Sequence, residues 1–275
     1  MTEPVSLAAA QTVPARGDVD ANTAQHLRLL DAAADAGAQV VVFPELSLTG
    51  YELDLARALA FTENDARLAP LVAAAVSAGV TLVVGAPVRV GERLYLGALI
   101  LGPDGATELY TKHRLGAFGE SARQDGAVPP AEATVFLPGD RNPLLRAGHV
   151  TGAVAVCADI GREWHPRQAA ERGAGAYLAS MFVIPSEYDA DAAKLGGYAA
   201  RYAMAVVAAN HGGPTGGLAA AGRSSIWSER GDLLVRLPRE GAGVAVATRD
   251  AAGGWTATAV TLDAPPPRGW PGPAR

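Results

Sequence analysis

Short β-prone runs alternate with alanine-rich helical stretches along this chain, and after one Pro- and Gly-rich interruption the alternation begins again. The first pass opens with a strand near Val5 to Ala10, a helix near Asn22 to Ala36 and a strand at Gln39 to Phe43, a βαβ unit. A helix from about Asp65 to Ala78, a strand at Val80 to Gly85 and strands near Ala98 to Leu101 and Thr107 to Thr111 follow, the last two across the turn Gly102-Pro103-Asp104-Gly105. Beyond the loop from Gly126 to Pro143 come a strand at Val150 to Val156, a helix at Glu163 to Gly173, a strand at Ala176 to Ser180, a helix at Asp191 to Met204 and a strand at Ala205 to Ala209. Two similar halves predict two sheets that face each other. Late strands near Asp232 to Leu237 and Val244 to Thr248 are expected to extend the second half. The tail PPPRGWPGPAR is too rich in proline to continue either element, and is expected outside the core or against a neighbouring subunit.

A chain of 275 residues can bury the core of one large domain, which we place at residues 1–262 with the tail at 263–275. The formal charge is -5 and the basic residues are scattered singly, so nothing forms the stripe that follows a phosphate backbone, and nucleic acid is not an expected partner. The longest apolar stretches, such as Ala38 to Phe43 and Val150 to Cys157, fall far short of the roughly 20 residues that span a bilayer. Glu3 stands where a secretory signal carries positive charge, and Gln11 and Pro14 interrupt the first apolar run, which reads as the opening strand of a cytoplasmic protein. The single cysteine cannot form an internal disulfide.

That thiol, Cys157, ends an apolar strand in VTGAVAVCADIGREWHP. Glu45 in VVFPELSLTGYE follows another such strand, where Pro44 ends the ladder, and Lys112 in LYTKHRLGAFGE leaves a β-ribbon, with Glu120 eight residues on. A cysteine at a strand end is most often a small buried hydrophobe, and a Glu or Lys there a solvated loop residue. Three reactive groups at three strand exits point instead to a shared site. HGGPTGG lacks the following Lys-Ser/Thr of a phosphate cradle and reads as a loop at a pocket rim, while GESAR lacks the second glycine of a nucleophile elbow. The histidines show no metal-ligand spacing, so neither metal nor organic cofactor is expected.

In order and spacing these blocks resemble the Glu, Lys and Cys motifs of the nitrilase superfamily, the carbon–nitrogen hydrolases, and the likeness runs from about Val5 to about Thr248. The resemblance implies an α/β fold, a four-layer α-β-β-α sandwich that pairs into homodimers or larger homo-oligomers, with Glu45, Lys112 and Cys157 converging between the sheets. It implies that Glu45 takes the thiol proton of Cys157, since a free thiol of pKa about 8.5 is only a few per cent ionised at neutral pH. Lys112 and the backbone N–H of Ala158 would stabilise the tetrahedral oxyanion, a contribution of roughly 2.7–4 kcal/mol per donor. Glu120 corresponds to a second family glutamate that positions the lysine or contacts substrate.

Asp159 matches a position where amidase-like members carry Asp and true nitrilases Glu, which favours an amide or carbamoyl substrate. Ala158 replaces a larger residue, and Ala221 replaces an aromatic in a later block that keeps Asn210, Gly212, Gly222, Ser224 and Gly231. Two smaller residues predict a roomier or differently shaped pocket. Arg162 and His165, on the expected helix start, are candidates to meet a substrate carboxylate, and Asp159 is counted with them as a candidate substrate-binding residue. The expected activity is release of ammonia from a small primary amide, ω-amide or N-carbamoyl compound through a thioester. Interception of that thioester by an amine, and a silent binding homologue, are the alternatives.

Overall fold

The computed structural model describes residues 4–119, 128–148 and 150–262. Glu120 and the tail at 263–275 therefore lie outside the described residues. In chain order the elements are β1 (Val5–Gln11), α1 (Val19–Asp35), β2 (Val40–Val42), α2 (Ala56–Leu59), α3 (Ala69–Ala78), β3 (Thr81–Val90), β4 (Arg93–Leu101) and β5 (Thr107–Thr111). The second half runs β6 (Leu144–Ala147), β7 (Val150–Val156), α4 (Trp164–Glu171), β8 (Ala176–Ser180), α5 (Tyr188–Tyr202), β9 (Ala205–Ala209), β10 (Ser225–Trp227), β11 (Leu233–Arg236), β12 (Ala242–Arg249) and β13 (Trp255–Leu262).

Two sheets result, one of seven strands ordered β13-β12-β1-β2-β3-β4-β5 and one of six ordered β11-β10-β9-β8-β7-β6. Alternation along each strand decides the layers. In β1, Leu7 and Ala9 face the other sheet while Ala8 and Ala10 face helices. In β8, Ala176 and Leu178 face the other sheet while Tyr177 and Ala179 face helices. The helices complete an α-β-β-α sandwich. On α1, the buried stripe Asn22, His26, Leu29, Leu30 and Ala33 follows the helical period and turns to the first sheet, and the Asp18 side chain caps its start by accepting from Ala21 N at 3.0 Å. Among the described residues no helix is long and apolar enough to cross a membrane.

The late strands divide between the sheets, contrary to the expectation that both extend the second half. β11 pairs with β10, but β12 crosses over and lies antiparallel to β1, Val5 opposite Arg249 and Gln11 opposite Gly243. Its Ala245 and Ala247 fill the layer between the sheets while Val244 and Val246 pack on the helical side of the first. A small, two-sided apolar strand fits either sheet by its own pattern, and only the connection decides. β6, β10 and β13 were not expected: β10 is three residues long, and β13 is an edge strand with little of its surface covered.

Candidate active site

Each sheet delivers part of the site at the C-terminal ends of its strands. β2 ends at Val42, and the chain turns at Glu45 with Leu46 in the left-handed region (φ 52°). This turn lies so close to β3 that a Cβ on Gly85 would stand 2.3 Å from the Pro44 carbonyl oxygen. Ser47 Oγ donates to His26 Nε2 at 2.9 Å, so α1 also holds the turn. Lys112 follows β5 directly. Cys157 follows β7 and is itself left-handed (φ 41°), a strained conformation for a residue with a side chain, and opens a 3-10 turn over Cys157–Gly161.

The Lys112 ammonium is completely buried and sits between two carboxylates, 2.6 Å from Glu45 Oε1 and 2.8 Å from Glu132 Oε1. Tyr51 O–H donates to the same Glu132 oxygen at 2.9 Å, and Gly116 N–H donates to Glu132 Oε2 at 2.7 Å. Glu45 Oε2 is buried without a protein partner among the described residues. The Cys157 thiol donates to the Phe182 carbonyl at 3.3 Å.

Burial pushes the Glu45 carboxyl up to about 8; the Lys112 charge opposes this and the Glu132 charge adds to it. For Lys112 burial favours loss of the proton, but Glu45 and Glu132 outweigh it and the ammonium is held above its usual range. Burial, with the negative charge of Glu45, pushes the Cys157 thiol well above its usual range, against the pull of Lys112. Cys157 therefore rests as a thiol; to act as a nucleophile it would need a base, and Glu45 could serve as one only when ionised. The expected result is an acid limb in kcat/KM that rises about tenfold per pH unit and bends near pH 8, far above an ordinary carboxylate of 4.5. A pH–rate profile checks it. The linked stability runs oppositely: the folded chain keeps a proton that the unfolded chain releases, so this stabilising contribution is present below the ordinary value and lost as pH rises through the folded one.

The pocket above these groups, about 420 Å³, is lined by Tyr51, Phe118, Ala158 and Ile160 over Cys157 and Glu132, and by Arg114, Glu187, Asp191 and Lys194 toward its mouth. Tyr51, Phe118 and Phe182 form one aromatic wall, with ring centroids 4.8–5.7 Å apart.

Of the residues expected at the site, the structure brings together Glu45, Lys112, Cys157 and Ala158. Asp159 is buried beneath the nucleophile turn instead of facing the pocket: its carboxylate accepts from Val156 N, His113 N, Arg114 N and Tyr110 O–H at 2.7–3.1 Å, tying the turn of Cys157 to the chain after Lys112. His165 does not reach the pocket either, because its Nε2 donates to the Tyr110 hydroxyl oxygen and its Nδ1 accepts from Tyr177 O–H, each at 2.9 Å. Arg162 is exposed and outside the pocket lining, since the 3-10 turn delays helix α4 to Trp164. Ala221 packs in the core between the second sheet and its helices, so of the two small residues only Ala158 shapes the pocket.

Sequence reasoning missed Glu132 and Tyr51. Glu132 lies on a short 3-10 turn after Pro129-Pro130, in a stretch that reads only as loop, and no local pattern marks it. Tyr51 stands within the Glu45 block and carries a signal in hindsight, as an aromatic with a polar tip six residues past the base.

Known proteins resemble this chain in sequence and in fold. The amidase from Nesterenkonia sp. AN1, solved with the acetamide moiety of fluoroacetamide covalently added at its active-site cysteine, superposes with a TM-score of 0.78 at 26% identity, covering 90% of this chain and 91% of that one. A cysteine-to-alanine form of the same amidase in complex with butyramide gives a TM-score of 0.77 at 27% identity over 88% and 89%. Curated relatives include the glutamine-dependent NAD(+) synthetases of Rhodobacter capsulatus, 28% identical over 97% of this chain and 47% of that one, and of Mycobacterium leprae, 28% identical over 81% and 35%. The Thermotoga maritima enzyme of the same name is 29% identical over 62% of this chain and 28% of its own. The chain thus spans less than half the length of these curated relatives. Residues 6–256 match the family model described as carbon-nitrogen hydrolase, and the chain belongs to that family.

Proposed function

We propose that this chain releases ammonia from a small amide, ω-amide or N-carbamoyl compound through a thioester on Cys157. The observation that carries the reading is the buried ammonium of Lys112, gripped by Glu45 and by Glu132, which lines the same pocket as Cys157. Glu45 takes the thiol proton as sulfur attacks the amide carbon. The new oxyanion is held by the Lys112 ammonium, two of whose three N–H groups are committed to carboxylates, and by the Ala158 backbone N–H. Glu45 passes its proton to the departing nitrogen, the C–N bond breaks and ammonia leaves. Glu45 next takes a proton from water, which attacks the thioester. The acid is released and the proton returns to the sulfur.

An ω-amide of an amino acid, such as glutamine, is the substrate favoured by a second observation. The pocket mouth carries both signs of charge, Arg114 and Lys194 with Glu187 and Asp191, which suits a zwitterionic head group. The curated relatives are named for glutamine dependence, and the ammonia would then serve a synthetase partner. Assembly as a homodimer belongs to the same proposal, and sedimentation reads it directly.

The test is ammonia release from a panel of primary amides, glutamine and other ω-amides, N-carbamoyl amino acids and nitriles, with wild type beside Cys157→Ala. Release that depends on Cys157 is expected, with one of the first three classes preferred. Equal release by the two proteins overturns the assignment of the nucleophile. Acyl transfer to added hydroxylamine without release in water overturns hydrolysis.

A further inference from the structure

We propose that His211 is a positioning residue for Glu45: its imidazole, aimed by Thr12, locks the peptide of the base onto the strand exit that also holds the nucleophile. The inference rests on the reading of Glu45 and Cys157 given above.

His211 is completely buried just after β9, in the second sheet's half of the chain, yet Nε2 lies 2.8 Å from the backbone carbonyl oxygen of Glu45, which belongs to the first. Its Nδ1 lies 3.0 Å from Thr12 Oγ1. A carbonyl only accepts, so Nε2 carries the proton, and Nδ1 accepts from the Thr12 hydroxyl. Burial keeps the ring neutral by pushing its pKa down to about 4, so this tautomer persists throughout the working pH range. Thr12 therefore has a defined task, because its hydroxyl selects the tautomer that can hold Glu45.

The other end of the Glu45 peptide is held from the same side. Glu45 N–H donates to the Met181 carbonyl at 3.2 Å, and the next carbonyl, Phe182, accepts from the Cys157 thiol at 3.3 Å. The Phe182 ring stands edge-on to His211 at 5.5 Å. Asn210 fastens the following residue in both directions, its Oδ1 accepting from Val183 N–H at 3.0 Å and its Nδ2 donating to the Val183 carbonyl at 3.3 Å. Residues 181–183 thus anchor base, thiol and clamp in succession, and the Asn210-His211 pair ties all three together. Without the imidazole N–H, the Glu45 carbonyl is buried without its partner, and its peptide is free to rotate away from Cys157.

Thiol reactivity tests the clamp without any knowledge of the amide. Alkylation of Cys157 by iodoacetamide is followed by intact mass across neutral to alkaline pH for wild type, His211→Phe, His211→Gln, Thr12→Val and Glu45→Gln, each with its melting temperature. At neutral pH His211→Phe is expected to slow alkylation by roughly 10- to 100-fold, and to move the pH curve toward that of Glu45→Gln. His211→Gln, which keeps an N–H donor, is expected to restore most of the rate, and Thr12→Val to lose an intermediate amount. If His211→Phe does not fold, Thr12→Val and His211→Gln carry the test. A wild-type pH curve in the His211 and Thr12 variants beside a shifted Glu45→Gln curve overturns the clamp, as does a lowered melting temperature alone. A Glu45→Gln curve identical to wild type overturns the assignment of Glu45 as base, and the clamp with it.

Discussion

Replacing Lys112 with Met is expected to abolish turnover and weaken the fold in one step. Lys112 is completely buried, and its partners Glu45 and Glu132 are 0% and 2% exposed, so the substitution leaves two carboxylates facing each other without a cation. Removing one member of such a buried cluster costs about 3–5 kcal/mol. Loss of one oxyanion donor lowers kcat by roughly 10²–10³, and disorder of Glu45 lowers it further. The two effects separate by pH. Without the Lys112 charge that opposes it, burial pushes the folded-state pKa of Glu45 higher still, so the variant holds a proton that its unfolded chain releases, and its deficit shrinks as pH falls and grows as pH rises. Urea unfolding of both proteins at acidic and mildly alkaline pH reads this directly. A deficit that does not change with pH rules out the unpaired carboxylates as its cause.

Glu45→Gln is expected to separate chemistry from stability. The amide oxygen still accepts from the Lys112 ammonium, and Glu132 still neutralises it, so the cluster keeps a net balance and the melting temperature stays close to wild type. The base is gone, and with it roughly 10²–10⁴ in kcat. Because burial, the largest cause, still holds the thiol protonated, acylation loses its proton acceptor, and the acid limb that bends near pH 8 disappears from the residual rate. Steady-state kinetics across pH, beside thermal unfolding, decide the matter. Retention of that limb in the variant assigns it to another group.

The positions of Glu45, Lys112 and Cys157 were legible because each stands at or just past the end of a strand, and residues at the C-terminal exits of stacked strands have little freedom to be elsewhere. The two-sheet architecture was legible for the same reason: period-2 and period-3.6 apolar patterns are local, and they alternate in the order that a pair of sandwiched halves requires. Asp159 and His165 show where such reading stops. Both are polar residues near the nucleophile, and proximity in sequence suggested contact with substrate, yet both turn inward to hydroxyls and N–H groups supplied by β5, β7 and β8. Glu132 shows the converse, since a loop glutamate 20 residues from Lys112 becomes its second counter-ion only through the path of the chain.

The sequence alone determined the two facing sheets, the three strand-exit groups and the small side chain after Cys157, because these depend on periodicity and on residue chemistry at fixed positions. Tertiary structure alone decided which sheet takes β12, which second glutamate pairs with Lys112, and that a histidine from the second half meets the Glu45 carbonyl of the first. Those choices depend on contacts between residues as far apart as Val5 and Arg249, whose partners no local pattern encodes.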